Sequence, residues 1–111
     1  MELVREVFPH FSRLQLIRQK VQHTPLSTFC ALSENDILFI DSSHVLKTGG
    51  DVAYEYLEIL PRLRKGVIVH AHDIFLPAEY PKERLFKESK FYNEQYLIQA
   101  FLAFNNSFEV L

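Results

Sequence analysis

Residues 37–41 read ILFID and residues 67–73 read VIVHAHD. Each is a short apolar run, rich in β-branched and aromatic residues, that ends in a carboxylate. A continuous run of this length, bounded by turn residues, is the pattern of a strand buried on both faces. Between the two runs lies a polar loop, SSHVLKTGG (residues 42–50), and then a segment with a helical period. Val52, Tyr56, Ile59, Leu60 and Leu63 form its apolar stripe. Asp51 is placed to cap its start. Arg62, Arg64 and Lys65 suit its C-terminus through the helix dipole, and Gly66 suits the C-cap. Strand, helix, strand is the unit from which parallel sheets are built.

The same alternation extends in both directions. Upstream, Leu3, Val4, Val7, Phe8 and Phe11 recur with a helical period, and Leu14 to Val21 reads as a broken strand. Thr24-Pro25 then marks a helix start that runs to about Leu32, followed by the turn Ser33 to Asp36. Downstream, Ile74 to Pro81 carries two prolines and reads as loop. Lys82 to Lys90 reads as a partly helical surface segment or a lid. Asn93 caps a last helix with Tyr96, Leu97, Ala100, Phe101 and Phe104 on one side, and Phe108 to Leu111 begins a final strand. The predicted class is α/β, a mostly parallel sheet flanked by helices.

The 111 residues suit one domain. A formal charge of −2 gives no electrostatic footprint for nucleic acid. The single cysteine, Cys30, excludes an internal disulfide framework and a cysteine-rich zinc site. No apolar run approaches a membrane span, and the N-terminus does not read as a signal peptide, so a cytoplasmic location is expected. The three glycines, Gly49, Gly50 and Gly66, form neither a dinucleotide fingerprint nor a P-loop. The chain is therefore expected to be the later half of a larger α/β domain, lacking the first strands and the Gly-rich loop.

Three segments, DILFIDSSHVLKTGGDV (36–52), LPRLRKGVIVHAHDIFLPAEYP (60–81) and YNEQYLIQAFLAFNNSFEVL (92–111), resemble the class I S-adenosylmethionine-dependent methyltransferases. The nearest likeness is to their small-molecule O-methyltransferase and cephalosporin-hydroxylase-like branch, over nearly the whole chain. The resemblance implies a partial Rossmann-like fold in which the strands correspond to the family's third to sixth. It implies S-adenosylmethionine as cofactor, with Gln22, Asp41 and Ser42 on its binding side, and a small-molecule acceptor, a hydroxyl by preference. By the same likeness Asp41 and Asp73 stand where metal-using relatives hold a divalent cation. With His72 beside them the set is mixed oxygen and nitrogen.

In parallel sheets ligands bind beyond the carboxyl ends of the strands. Asp41-Ser42-Ser43-His44 and His70-Ala71-His72-Asp73 both fall there. His44 can take a proton from a substrate hydroxyl, or simply bond to loop backbone. Asp41 and Asp73 complete a catalytic set with it. His70 and His72 share a strand face and line the cleft or join Asp73 as metal ligands. His70, Lys47 and Tyr80 are candidate substrate contacts. Two other readings stay open. One is a non-catalytic half-domain that forms a homodimer through an exposed sheet edge. The other is a metal-dependent hydroxylase or hydrolase built on His70, His72 and Asp73.

Overall fold

The computed structural model describes residues 13–111. The predicted helix over Met1 to Phe11 lies outside the described residues. Two parallel strands, β1 (Ile37–Ile40) and β2 (Ile68–Ala71), pair in the register Ile37↔Ile68 to Ile40↔Ala71. They are preceded by a 3-10 turn (Val21–His23) and helix α1 (Leu26–Cys30). The crossover between them is one continuous helical rod. It opens as α2 (Asp51–Tyr54), widens into a π-helical turn (Glu55–Ile59) and tightens into a 3-10 turn (Leu60–Arg62). Helices α3 (Lys82–Phe86) and α4 (Glu94–Leu102) follow β2.

The apolar stripe read from the crossover is the core. Val52, Tyr56, Ile59 and Leu60 are buried there together with Ile40 of β1. Leu38, Val69, Leu97, Ile98 and Phe101 pack against this cluster. Burying each such aliphatic side chain stabilises the fold by roughly 1.5–3 kcal/mol. Alternation along the strands sends Leu38, Ile40, Val69 and Ala71 to this side. The opposite side carries Ile37, Phe39, Ile68 and His70, with Phe39 57% exposed.

Several expectations change. β1 and β2 are covered on one face among the described residues, not on both. Leu14 to Lys20 has no regular secondary structure, with Leu14, Leu16 and Ile17 exposed. It finds no neighbouring strand there to take its ladder hydrogen bonds. Phe108 to Leu111 is likewise not a strand. Phe108 turns in against Phe101, 5.0 Å between ring centroids, while Val110 and Leu111 stay exposed. On α4 the packed face is Leu97, Ile98 and Phe101, while Tyr96 and Ala100 face outward and Phe104, beyond the helix end, is exposed. Gly66 is not a helix C-cap, because the rod ends at Arg62, whose guanidinium donates to the Glu58 carbonyl. Gly66 instead sits at φ +86° in the turn into β2, where a Cβ would lie 2.7 Å from Cγ of Glu34.

Two glycines therefore separate two costs. Gly49 has φ +66° with open space around it, so Gly49→Ala pays backbone strain alone, about 1 kcal/mol. Gly66→Ala adds the collision with Glu34 and should cost roughly 2–3 kcal/mol. Chemical denaturation of the two variants should rank them in that order.

Candidate functional site

Both strands of the sheet run into left-handed backbone. His44, in the loop after β1, has φ +57°, and Asp73, two residues after β2, has φ +57°. Neither is glycine, and such strain is held only where the surroundings fix it. For His44 the fixing group is the N-terminus of α4. The His44 carbonyl accepts the N–H groups of Asn93 (3.0 Å) and Glu94 (3.3 Å). The Leu46 N–H donates to Oδ1 of Asn93 at 2.6 Å. Asn93 thus begins the helix as read, but its side chain clamps the neighbouring loop.

This clamp brings His44 against Glu94, which is fully buried. Nδ1 of His44 lies 2.6 Å from Oε2 of Glu94. The other oxygen, Oε1, accepts the Tyr56 hydroxyl at 2.6 Å. The Tyr92 ring packs on the imidazole at 4.6 Å. Burial, together with the Glu94 carboxylate beside it, pushes the Tyr56 phenol above its ordinary range, so it remains a donor. With Nδ1 engaged by Glu94, Nε2 is the nitrogen left for chemistry. It points to Asp41 (3.3 Å) and Asp73 (3.9 Å). The expected trio His44, Asp41 and Asp73 is therefore brought together. Glu94, the first residue of α4, is the group that orients it.

Asp73 carries a further partner. Arg84 of α3 grips both its oxygens, at 2.6 and 3.0 Å. That hydrogen-bonded guanidinium holds the Asp73 carboxyl below its usual range. His72 sits 3.8 Å from Asp41 and 3.5 Å from Asp73. The expected metal set Asp41, His72, Asp73 converges only loosely, and Arg84 already occupies both oxygens of Asp73. Among the described residues no group of His, Cys, Asp or Glu is arranged to hold a metal ion. The hydroxylase or hydrolase cluster fails for the same reason. Its third member, His70, stacks on Phe39 at 4.7 Å on the open face of the sheet.

Beside Asp41 opens a cavity of about 430 Å³, within the range of small-molecule sites. Gln22, Asp41 and Ser42, the three expected cofactor contacts, all line it, as does Lys47. The Gln22 amide donates across it to the Gly49 carbonyl at 3.1 Å. Lys47 therefore belongs to this side. Tyr80 lies elsewhere. Its hydroxyl accepts the Gln95 N–H at 3.0 Å, and its ring meets Phe75, Tyr92 and Tyr96 edge-on.

Two acidic residues of the central helix flank the cavity. Asp51 is partly buried, which alone would raise it, but hydrogen bonds from Ser43 and the Val52 N–H bring its carboxyl below the ordinary range. Glu55 is buried, and its Oε2 has no hydrogen-bond partner, nor has the buried hydroxyl of Ser42. Burial raises the Glu55 carboxyl to about 7; the neighbouring Ser42 hydroxyl works against this, and the charges of Asp51 and Glu94 add to it. Sequence reasoning missed Glu55 and Glu94 alike, although both interrupt apolar helical stripes.

A family model described as a methyltransferase domain matches residues 2–74. The chain belongs to this family, the class I S-adenosylmethionine-dependent methyltransferases. The match contains both strands, His44, Asp73 and the whole cavity lining. It ends before residues 92–111, the third segment on which the resemblance was drawn. No curated protein and no solved structure matches the chain. No helix among the described residues is long and apolar enough to cross a membrane.

The elevated Glu55 carboxyl has a testable sign. Its folded value, about 7, lies above the 4.5 of a free side chain, so the folded state binds the extra proton. Its share of stability is retained below pH 4.5 and lost as pH rises to 7 and beyond, by about 3 kcal/mol at most. Asp51 and Asp73 act in the opposite sense and at lower pH, where their depressed carboxyls take up protons. In Glu55→Gln the loss of stability between pH 4.5 and 8 should shrink, as read from unfolding midpoints across that window.

Proposed function

We propose that the chain is a cytoplasmic methyltransferase that uses S-adenosylmethionine to methylate a hydroxyl group of a small molecule. The observation that carries this reading is His44. A buried carboxylate holds its Nδ1 at 2.6 Å, and its Nε2 faces the strand ends beside the cavity. Methylation of a neutral hydroxyl needs a proton acceptor, and a carboxylate-oriented imidazole is one. The cavity lined by Gln22, Asp41 and Ser42 suits the cofactor, since it offers an amide, a carboxylate and a buried hydroxyl without a partner. The cofactor supplies an activated methyl on sulfonium sulfur.

The residues then have separate tasks. Glu94 fixes the imidazole tautomer by holding the Nδ1 proton. Nε2 of His44 takes the proton from the acceptor hydroxyl as its oxygen bonds to the methyl carbon. The cofactor, when bound, would give up its methyl group with the electron pair left on sulfur. Asp41 and Asp73 then stand within 3.9 Å of the cation formed on Nε2 and stabilise it. Arg84 keeps Asp73 turned to this position. Much of the rate would come from alignment of oxygen, carbon and sulfur.

Titration of the folded chain with S-adenosylmethionine should give saturable one-to-one heat. No heat at millimolar ligand overturns the reading. His44→Asn should lower methyl transfer to a panel of small hydroxylated compounds by roughly 10²–10⁴-fold while cofactor affinity stays nearly unchanged. Equal losses in both would assign His44 to binding.

One observation favours a second reading, a non-catalytic half-domain that pairs with a second copy. Ile37, Phe39 and Ile68 are exposed on one sheet face, and neither outer edge of the two-stranded sheet is paired among the described residues. Such surfaces invite self-association. On this reading the sedimentation coefficient rises with concentration, Phe39→Lys abolishes the rise, and no cofactor binds. A monomer at all concentrations excludes it.

A further inference from the structure

The cavity beside β1 contains a buried carboxyl, that of Glu55, which the methyl-transfer scheme does not use. Glu55 is only 7% exposed, lines the cavity, and leaves Oε2 without a hydrogen-bond partner. The Ser42 hydroxyl, also lining it, is buried and unpartnered. Unsatisfied buried polar atoms cost free energy, so two at one site call for an account. Glu55 also opens the π-helical turn, a local widening found often at functional sites.

The chemistry of the surroundings narrows what would satisfy them. The Ser42 hydroxyl both donates and accepts and stands near enough to Glu55 to lower its carboxyl, so a donor that reaches Oε2 of Glu55 and Oγ of Ser42 together satisfies both atoms. Asp41 and Asp51 line the same cavity, which favours a positively charged one. Asp51 itself is not free, because its two oxygens are taken by Ser43 and Val52. That leaves too few oxygens for a hard metal cation, which wants about six. The titratable groups facing Glu55 are Asp51, Glu94 and His44, while Lys20 and Lys47 line the cavity without pairing with it among the described residues.

We infer that Glu55 and Ser42 form a recognition point for a primary ammonium group on the small molecule that occupies this cavity. The group would donate to Oε2 of Glu55 and to Oγ of Ser42 and place its charge among the cavity's carboxylates. The elevated carboxyl value of Glu55 fits a site whose countercharge arrives with the ligand. Two sources share this chemistry: the amino-acid tail of the cofactor and an amine-bearing acceptor. Only the first rests on the function proposed above.

The test follows the Glu55 side-chain carboxyl by ¹³C NMR in the whole chain, with ethylammonium chloride as probe. A ligand of three heavy atoms binds at best in roughly the millimolar range, so the titration runs to tens of millimolar. The expected result is a saturable shift, with the Glu55 titration midpoint falling below about 7. Tetramethylammonium, which has charge but no N–H, should produce neither change. No response to ethylammonium, or the same response to both cations, overturns the inference whatever the cofactor does.

A calorimetric arm distinguishes the sources. If the ammonium belongs to the cofactor, S-adenosylhomocysteine should bind roughly tenfold or more tightly than its desamino counterpart. If both bind alike and ethylammonium still moves Glu55 in the saturated protein, the acceptor carries the amine. If neither binds while ethylammonium does, the recognition point stands and the cofactor reading falls.

Discussion

The carboxylate of Glu94 is the joint on which the rest of the molecule turns. It is buried without any exposed surface, and its two oxygens serve two different elements, His44 of the loop after β1 and Tyr56 of the central helix. Helix α4, which carries it, is thereby tied to both. A buried carboxylate is costly unless its hydrogen bonds are made, so each partner holds the other two in place. The left-handed backbone at His44 follows from this arrangement. The ring reaches Glu94 while the carbonyl of the same residue accepts the first N–H groups of the helix. One packing requirement thus sets both the attitude of the imidazole and the path of the chain around it.

The parts of this design legible in the sequence were those that depend on one element at a time. Two apolar runs ending in carboxylates gave two parallel strands, and the stripe from Val52 to Leu60 gave the core. Asp41, His44 and Asp73 were placed together because strand carboxyl ends converge in parallel sheets. Leu14 to Lys20 misled, because alternation shows that a segment can pair, not that a neighbour stands beside it. The same holds for Phe108 to Leu111, whose aromatic residue docks on Phe101 instead.

Glu55 and Glu94 show where a single-element reading stops. Glu55 lies three residues after Val52 and four before Ile59. Glu94 stands three, four and seven residues before Leu97, Ile98 and Phe101. Each is an acid on the apolar side of its helix, and that spacing was the available signal. For Glu94, in the first turn of α4, local rules point to capping and to the dipole, which outranked the pattern. Arg84 carried no comparable signal. Its bidentate grip on Asp73 arises from the fold of the loop between them, and a basic residue in a mixed-charge segment reads as solvated.

The aromatic packing around His44 also has an optical consequence. The chain has five tyrosines and no tryptophan, so tyrosine alone supplies its near-ultraviolet emission. The hydroxyls of Tyr56 and Tyr96 rest on the carboxylates of Glu94 and Glu79, a contact that quenches the excited phenol by accepting its proton. Tyr92 lies against the imidazole, and Tyr80 meets Tyr92 edge-on. The emission of the whole molecule is therefore weighted toward the neighbourhood of one histidine. Any event that moves that ring or redistributes its protons changes the intrinsic fluorescence, so the site carries its own reporter with no label attached.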